Sequence, residues 1–461
     1  MAVSDVRGVL LPLTAAQSGV WYAQQLNPQN TIFNTGEFLE IDGPVDATAL
    51  QQALRQVVEE AETLRLRFHE GDSGPVARIV PAADLDWSLH VVDVSDAPNP
   101  MAAARAWMAE DFARPLDTEH DQLFLFALFK VAEDRHLWLH RYHHLLVDGF
   151  TVNMVAQRTA AVYSALVAGE PVPATGFAPL AQLLDEKAAY RDSERFGTDR
   201  AYWIDRLKEC PEPISLSGEQ PSLARSLARR TARLGRTETG RLRTLASDAA
   251  VTWPPALIAA VALWLQRLTG APEVVLGLPV STRLGKNARS VPGMVSNVLP
   301  LRIAVKPGST VEELLTQVSA EMRAAMKHQR YQFEDLRRDL GMLADDRRLV
   351  GPHVNIMMFD YDLRFAGHTA RPHNLSIGPA DDISFIVYDR GTSSGLQIDF
   401  DANPELYADE DLRAYQLTFL DFLHRLGSTA LDARVDSIEL DTSALPERLR
   451  TAPAAPAAVA D

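Results

Sequence analysis

Two histidines stand side by side in the run His140-Arg-Tyr-His143-His144-Leu-Leu-Val-Asp148-Gly149-Phe150. Imidazole changes charge near neutral pH, so a histidine facing a cavity can act as a general base or hold a reacting proton donor in place. Successive side chains of an extended segment point to opposite faces. His143 and His144 therefore do not readily ligate one metal, and no other His, Asp or Glu cluster at ligand spacing completes a site. No metal is expected. One histidine should face a cavity and the other packed protein; the bland alternative makes both of them satisfied core residues at a strand end. Asp148 offers a second carboxylate. Gly149 suits either a close approach of backbone to a substrate arm or a tight turn.

A second pattern, Gly391-Thr-Ser393-Ser-Gly395, has the spacing of a nucleophile elbow. That chemistry needs a strand, a strained turn and then a helix. An alternating strand follows here, so the segment reads as a hairpin loop. No Walker-type phosphate loop is present.

The histidine run must be held by ordered elements, and these are legible around it. Leu123–Ala132 and Leu137–His143 read as two core strands of a hairpin, followed by a helix with Val152, Val155, Val162 and Leu166 on one stripe and a stop at Gly169. Earlier, Gly36–Ile41 looks extended, and Asp46 caps a helix carrying Leu50, Leu54, Val57 and Val58. Residues 177–221 are rich in charge and turn formers and read as a crossover. Beyond it, Thr252 caps a helix with Pro254 in its first turn, and Glu273–Val280 is a strand. Thr310 and Glu313 form a capping box. Val354–Phe359, Ile383–Tyr388 and Leu396–Phe400 are strands, and Asp409–Leu426 is a helix. From Ala452 the chain is Ala/Pro-rich, like a linker.

With 461 residues, 46% hydrophobic and 23% charged, the chain can fill more than one core. A net charge of −16 argues against a nucleic-acid binder. The arginines Arg225, Arg229, Arg230, Arg233, Arg236, Arg241 and Arg243 form a local basic exception, either a solvated face or a docking patch for an acidic partner. Apolar runs such as Ala256–Leu265 fall short of the ~20 residues that cross a bilayer. One cysteine, Cys210, rules out an internal disulfide. No secretory leader is evident, and a cytoplasmic location is expected.

The pattern His143-His144-x-x-x-Asp148-Gly149 resembles the active-site motif of the condensation domains of nonribosomal peptide synthetases. Other landmarks follow in order: Leu13–Trp21, Glu62–Phe68, Gly293–Arg302, His328–Glu334 and Gly351–Asn355. The resemblance runs to about residue 445. It implies an α/β fold of two chloramphenicol-acetyltransferase-like lobes, V-shaped, with a central tunnel. Residues 1–178 would form the N-terminal lobe, 179–447 the C-terminal lobe with bridging elements, and 448–461 a linker to an adjoining adenylation domain. It further implies that an upstream carrier protein brings an acyl, aryl or aminoacyl thioester on phosphopantetheine, that a downstream carrier brings an aminoacyl thioester, and that an amide forms, with no cofactor held by the chain itself. His144 would sit centrally with His143, Asp148 and Gly149; Asp148 would pair with Arg283; and Ser296, Asn297 and Phe150 would line the tunnel.

Rival readings are a CoA-dependent acyltransferase of the same superfamily and a non-catalytic recruitment domain. Epimerisation domains share the histidine motif but usually carry a glutamate motif absent near Pro279–Gly285, and heterocyclisation domains replace the histidines with aspartates. The chain opens with Met ten residues before its first landmark; if it begins its polypeptide, the donor carrier arrives in trans. The donor class stays open, with siderophore and lipopeptide assembly both in view.

Overall fold

The structure is a computed structural model, described here for residues 10–220, 223–285, 288–342, 347–358, 362–389 and 395–450. In chain order the elements are β1 (Leu10–Pro12), α1 (Ala15–Leu26), β2 (Asn34–Ile41), α2 (Ala47–Glu60), β3 (Leu66–Gly71), β4 (Gly74–Ile79), β5 (His90–Asp93), α3 (Pro100–Phe112), β6 (Phe124–Ala132), β7 (Arg135–His143), α4 (Gly149–Ala168), α5 (Leu180–Arg191) and α6 (Glu194–Leu207). Then follow β8 (Ala228–Arg233), α7 (Arg236–Asp248), α8 (Trp253–Thr269), β9 (Glu273–Ser281), β10 (Ser296–Ala304), α9 (Val311–Lys327), α10 (Phe333–Asp339), β11 (His353–Met357), β12 (Leu363–Phe365), β13 (His368–Ser376), β14 (Ile383–Asp389), β15 (Leu396–Ala402), α11 (Asp409–Leu426) and α12 (Glu447–Arg450).

The chain forms two compact units, and they interleave in sequence. The first comprises residues 1–193, 281–296 and 359–379; the second comprises 194–280, 297–358 and 380–461. This division differs from the expected one, residues 1–178 as one lobe and 179–447, with bridging elements, as the other. Two late segments fold with the early part of the chain.

In the first unit a six-stranded sheet runs β12-β13-β2-β7-β6-β5, antiparallel except between β5 and β6. One face carries Leu39, Ile41, Leu128, Trp138 and Tyr142, packed with Leu50, Leu54 and Val57 of α2 and Val155 and Val162 of α4. The other carries Phe38, Phe129, Leu137 and Leu139 under Ala104 and Met108 of α3. Strand β7 is thus buried on both faces, and its short apolar run Leu137–Leu139 is flanked by buried polar side chains, His136, His140, Arg141 and His143. Each fully buried large apolar side chain contributes roughly 1.5–3 kcal/mol. A smaller sheet, β1-β4-β3, completes the unit.

The second unit holds a mixed sheet, β10-β9-β11-β14-β15-β8. Its central helix α8 is buried from Pro254 to Leu265, with Trp264 edge-on to Phe385, Tyr415 and Phe419. That apolar helix is core; among the described residues no single helix is long and apolar enough to cross a membrane.

Local signals read from the sequence mostly hold. Asp46 accepts from the amides of Thr48 and Ala49, the Thr310–Glu313 box is closed, and Gly169 ends α4 with φ +67°. Thr252 sits at the N-cap of α8 without a side-chain capping bond. The stretch 177–221 is not mainly turns: α5 and α6 occupy most of it. The apolar residues of α5 show little helical periodicity, and each of the two helices buries only a few side chains. The Ser393 loop, residues 359–361 and the Ala/Pro tail beyond 450 lie outside the described residues.

Several of the clustered arginines are engaged within the second unit. Arg229 forks onto Asp401, Arg230 pairs with Asp409, and Arg243 reaches Asp389 at 2.8 Å. Arg241 bonds His424. These guanidiniums brace β8 and α7 against β14, β15 and α11.

Candidate active site

Strand β7 ends at His143, and residues 144–146 turn before α4 opens at Gly149. The turn is fixed by backbone bonds. His144 N donates to Phe33 O at 2.8 Å, and Leu146 N to His143 O at 2.9 Å. Two side chains add to this: Gln17 Nε2 donates to Leu145 O at 3.0 Å, and Thr63 Oγ1 to Leu146 O. Gln17 is itself held in the capping box of α1 with Thr14.

The two histidines are committed in opposite senses. His143 Nδ1 accepts the Leu145 amide at 3.2 Å, so its proton is on Nε2, which faces Gln24 Oε1 at 3.1 Å. The amide group of Gln24 is in turn held by the carbonyls of Asn27, Pro28 and Asn30. Burial, with the His144 and Arg141 charges adding to it, pushes the His143 imidazolium down to about 3. This ring is a neutral structural group.

His144 is only half-buried. Its Nδ1 donates to Val147 O at 2.8 Å, so Nε2 carries the lone pair. Burial lowers its basicity below the ordinary imidazole value, and the Val147 carbonyl and Asp148 partly offset that. A neutral imidazole with Nε2 as an acceptor can hold or take a proton from an amine. His140, earlier in the run, stacks on Trp138 with ring centroids 4.7 Å apart and is driven to about 3 by burial.

Asp148 caps α4 and is fully engaged. Its Oδ1 accepts the Thr151 amide at 2.9 Å, and its Oδ2 accepts the Val295 amide at 3.1 Å and Arg283 NH1 at 2.6 Å. Burial alone would raise this carboxyl, but the Arg283 charge and bond, with the two amides, hold it below the usual range. The Arg283 side chain is 1% exposed and also donates to Thr151 Oγ1 at 2.8 Å and Gly293 O at 2.6 Å. All of these groups belong to the first unit. The carboxylate is locked in place by these bonds.

Gly149 starts α4 in helical conformation, so a tight turn does not explain it. Phe150 lies under the Arg283 guanidinium, 5.0 Å from charge centre to ring centroid. Ser296 is half-buried, with Oγ 3.4 Å from Met294 Sδ. Asn297, in the second unit, spends its whole amide on backbone: Nδ2 donates to Gln329 O and Tyr331 O, and Oδ1 accepts from Phe333 N. That geometry is a brace for the turn before α10.

Sequence reasoning missed Gln24, Val147 and Gly378 as neighbours of the histidines. The first two are visible only through side-chain and carbonyl geometry, and Gly378 lies 234 residues from His144.

Comparison with known proteins identifies the family. A family model for the condensation domain matches residues 9–445. An isonitrile lipopeptide synthase of Streptomyces coeruleorubidus is 46% identical over 413 residues, covering 89% of this chain and 28% of that protein. A dimodular nonribosomal peptide synthase of Bacillus subtilis is 42% identical, covering 95% and 18%. Enterobactin synthase component F of Escherichia coli O157:H7, to which the segments Arg141–Phe150 and Phe359–Leu363 look similar, is 35% identical, covering 87% and 31%. The chain therefore spans less than a third of each of these relatives. Among solved structures, a variant of the starter condensation domain of rhizomide synthetase RzmA, in complex with C8-CoA and Leu-SNAC, superimposes with TM-score 0.88 at 39% identity, covering 94% of this chain and 97% of that one. A histidine pair with one ring buried and one presenting Nε2, an aspartate locked by arginine, and this match over nearly the whole length lead to one assignment: the chain belongs to the condensation domains of nonribosomal peptide synthetases, which are amide-bond-forming acyltransferases.

Proposed function

We propose that this chain joins a fatty acyl thioester to the amine of an aminoacyl thioester held on a downstream carrier protein. The observation that carries the reading is the half-buried His144, with Nδ1 tied to Val147 O and Nε2 left as acceptor. The acceptor amine attacks the donor carbonyl, the C–N bond forms and the C–S bond breaks. The departing thiolate ends with the proton lost by the amine. His144 Nε2 accepts a hydrogen bond from that amine and orients its lone pair. Its lowered basicity suits positioning better than full proton abstraction, and much of the rate comes from proximity. His143 and the Asp148–Arg283 pair hold His144 in place, and Gly149 leaves room beside it.

The fatty acyl donor is supported by the names of two relatives, a lipopeptide synthase and a starter domain in complex with C8-CoA. An upstream carrier, or CoA, presents it on phosphopantetheine, and the chain works in the cytoplasm beside an adenylation domain.

The test is intact-protein mass spectrometry of an aminoacyl-loaded downstream carrier, mixed with this chain and donors bearing octanoyl, aryl or aminoacyl groups on a carrier or on CoA. Octanoyl mass gain that disappears with His144→Ala supports the reading. Gain only from an aryl donor replaces fatty acyl with aryl. No gain from any donor, together with stable carrier binding, moves the reading to a recruitment domain.

A further inference from the structure

Strand β2 lies between β7 and β13 and is antiparallel to both, so the last residues of β7 and of β13 arrive together at the start of β2. Asn34 pairs with His143, and Gly36 pairs with Ser376. Residues just past each strand, His144 on one side and Gly378 on the other, are thereby brought side by side. A register shift between Asn374 and Ser376 redirects the end of β13. Two bonds then hold the redirected backbone: Thr35 Oγ1 donates to Ser376 O at 2.6 Å, and Gly378 N donates to Ser376 Oγ at 3.3 Å.

Gly378 has φ +104°, a conformation L-residues rarely adopt. A Cβ at this position would lie 2.6 Å from His144 Cδ2 and 3.0 Å from His144 Nε2. The ring cannot easily yield, because the Val147 carbonyl holds its other side. The atoms approached belong to the edge of the imidazole that carries the free lone pair.

We infer that Gly378 is a positioning residue for His144. Its missing side chain fixes the orientation of the imidazole and keeps the Nε2 edge open to the acceptor amine. This rests on the condensation reading above. No local feature of the sequence around Gly378 announces the role; it follows from strand order and register.

The experiment combines kinetics with a stability cycle on the full chain. Gly378→Ala should lower kcat roughly a hundredfold, because about 1 Å of misplacement at a reacting group costs that much. KM for the loaded acceptor carrier should change far less, and the acidic limb of the pH–rate profile should move. Ser376→Ala, which keeps the glycine and removes only the bond steadying it, should lower kcat several-fold. Melting temperatures of Gly378→Ala, His144→Ala and the double variant separate contact from backbone strain. The loss caused by Gly378→Ala should shrink when His144 is already alanine, since the ring that the methyl would strike is gone. Equal losses in both backgrounds, or a folded Gly378→Ala enzyme with full kcat and an unmoved pH profile, would overturn the proposal. A wild-type chain inactive with every donor would overturn the condensation reading, while the stability cycle would still decide the contact.

Discussion

His143 and His144, though adjacent, hold opposite tautomers: the proton is on Nε2 of the first and on Nδ1 of the second. The turn at Leu145 and Val147 selects both states, one through an amide and the other through a carbonyl. Only His144 retains an acceptor nitrogen without a protein partner assigned to it by these bonds.

His144→Ala should abolish condensation and lower the melting temperature only modestly, because the lost ring is half-buried but leaves the buried Val147 carbonyl without its donor. A variant that unfolds would show that the ring's bond to Val147 holds the turn.

Removing Gln24 has a different consequence. Gln24→Ala leaves the buried His143 Nε2–H without its acceptor, a loss of about 1–3 kcal/mol. Stability measured by denaturant titration should fall by that amount. Activity should decline modestly, because the support of the neighbouring ring is loosened.

For the Asp148–Arg283 pair, Arg283→Ala strands a buried carboxylate and should cost about 3–5 kcal/mol, whereas Asp148→Asn keeps most of the capping geometry and should cost less. Circular dichroism melts of the two variants would show the order. An unchanged melt for Arg283→Ala would contradict the burial described here.

Acid should unfold the protein before most carboxylates are protonated. His140 and His143 are held neutral down to about 3, and His353 down to about 4, in each case chiefly by burial. Between those values and the ordinary imidazole pKa near 6.5, the unfolded chain binds protons that the native chain does not, so stability rises with pH across this window and is complete above it. Each such proton is worth about 1.4 kcal/mol per pH unit. Melting temperature should drop steeply between pH 6.5 and 4, and a flat profile there would contradict the burial of these rings.

Asn297→Ala separates two roles for that residue. With its amide spent on the turn at Gln329–Phe333, the variant should lose stability and keep its KM for either substrate. A raised KM with an unchanged melt would restore Asn297 to the substrate path.

Much of the fold was legible because its signals are local. A capping aspartate at 46, a capping box at 310 and a stop at Gly169 each act over a few residues. The histidine run pointed to the candidate site for the same reason. What stayed hidden was long-range pairing. Strands β12 and β13 carry a proline, two histidines and no clean alternation, so nothing in them signals that they extend the sheet beside β2. Asn297 looked like a substrate contact because its position in a motif does not reveal what its amide bonds.

The interleaving of the two units bears on how such proteins can be recombined. A chimera joined at residue 193 would take its histidines from one parent, and the arginine that locks Asp148 and the glycine that abuts His144 from the other. A functional exchange should therefore transplant residues 281–296 and 359–379 along with the first 193, three pieces of chain moved as a single inheritance.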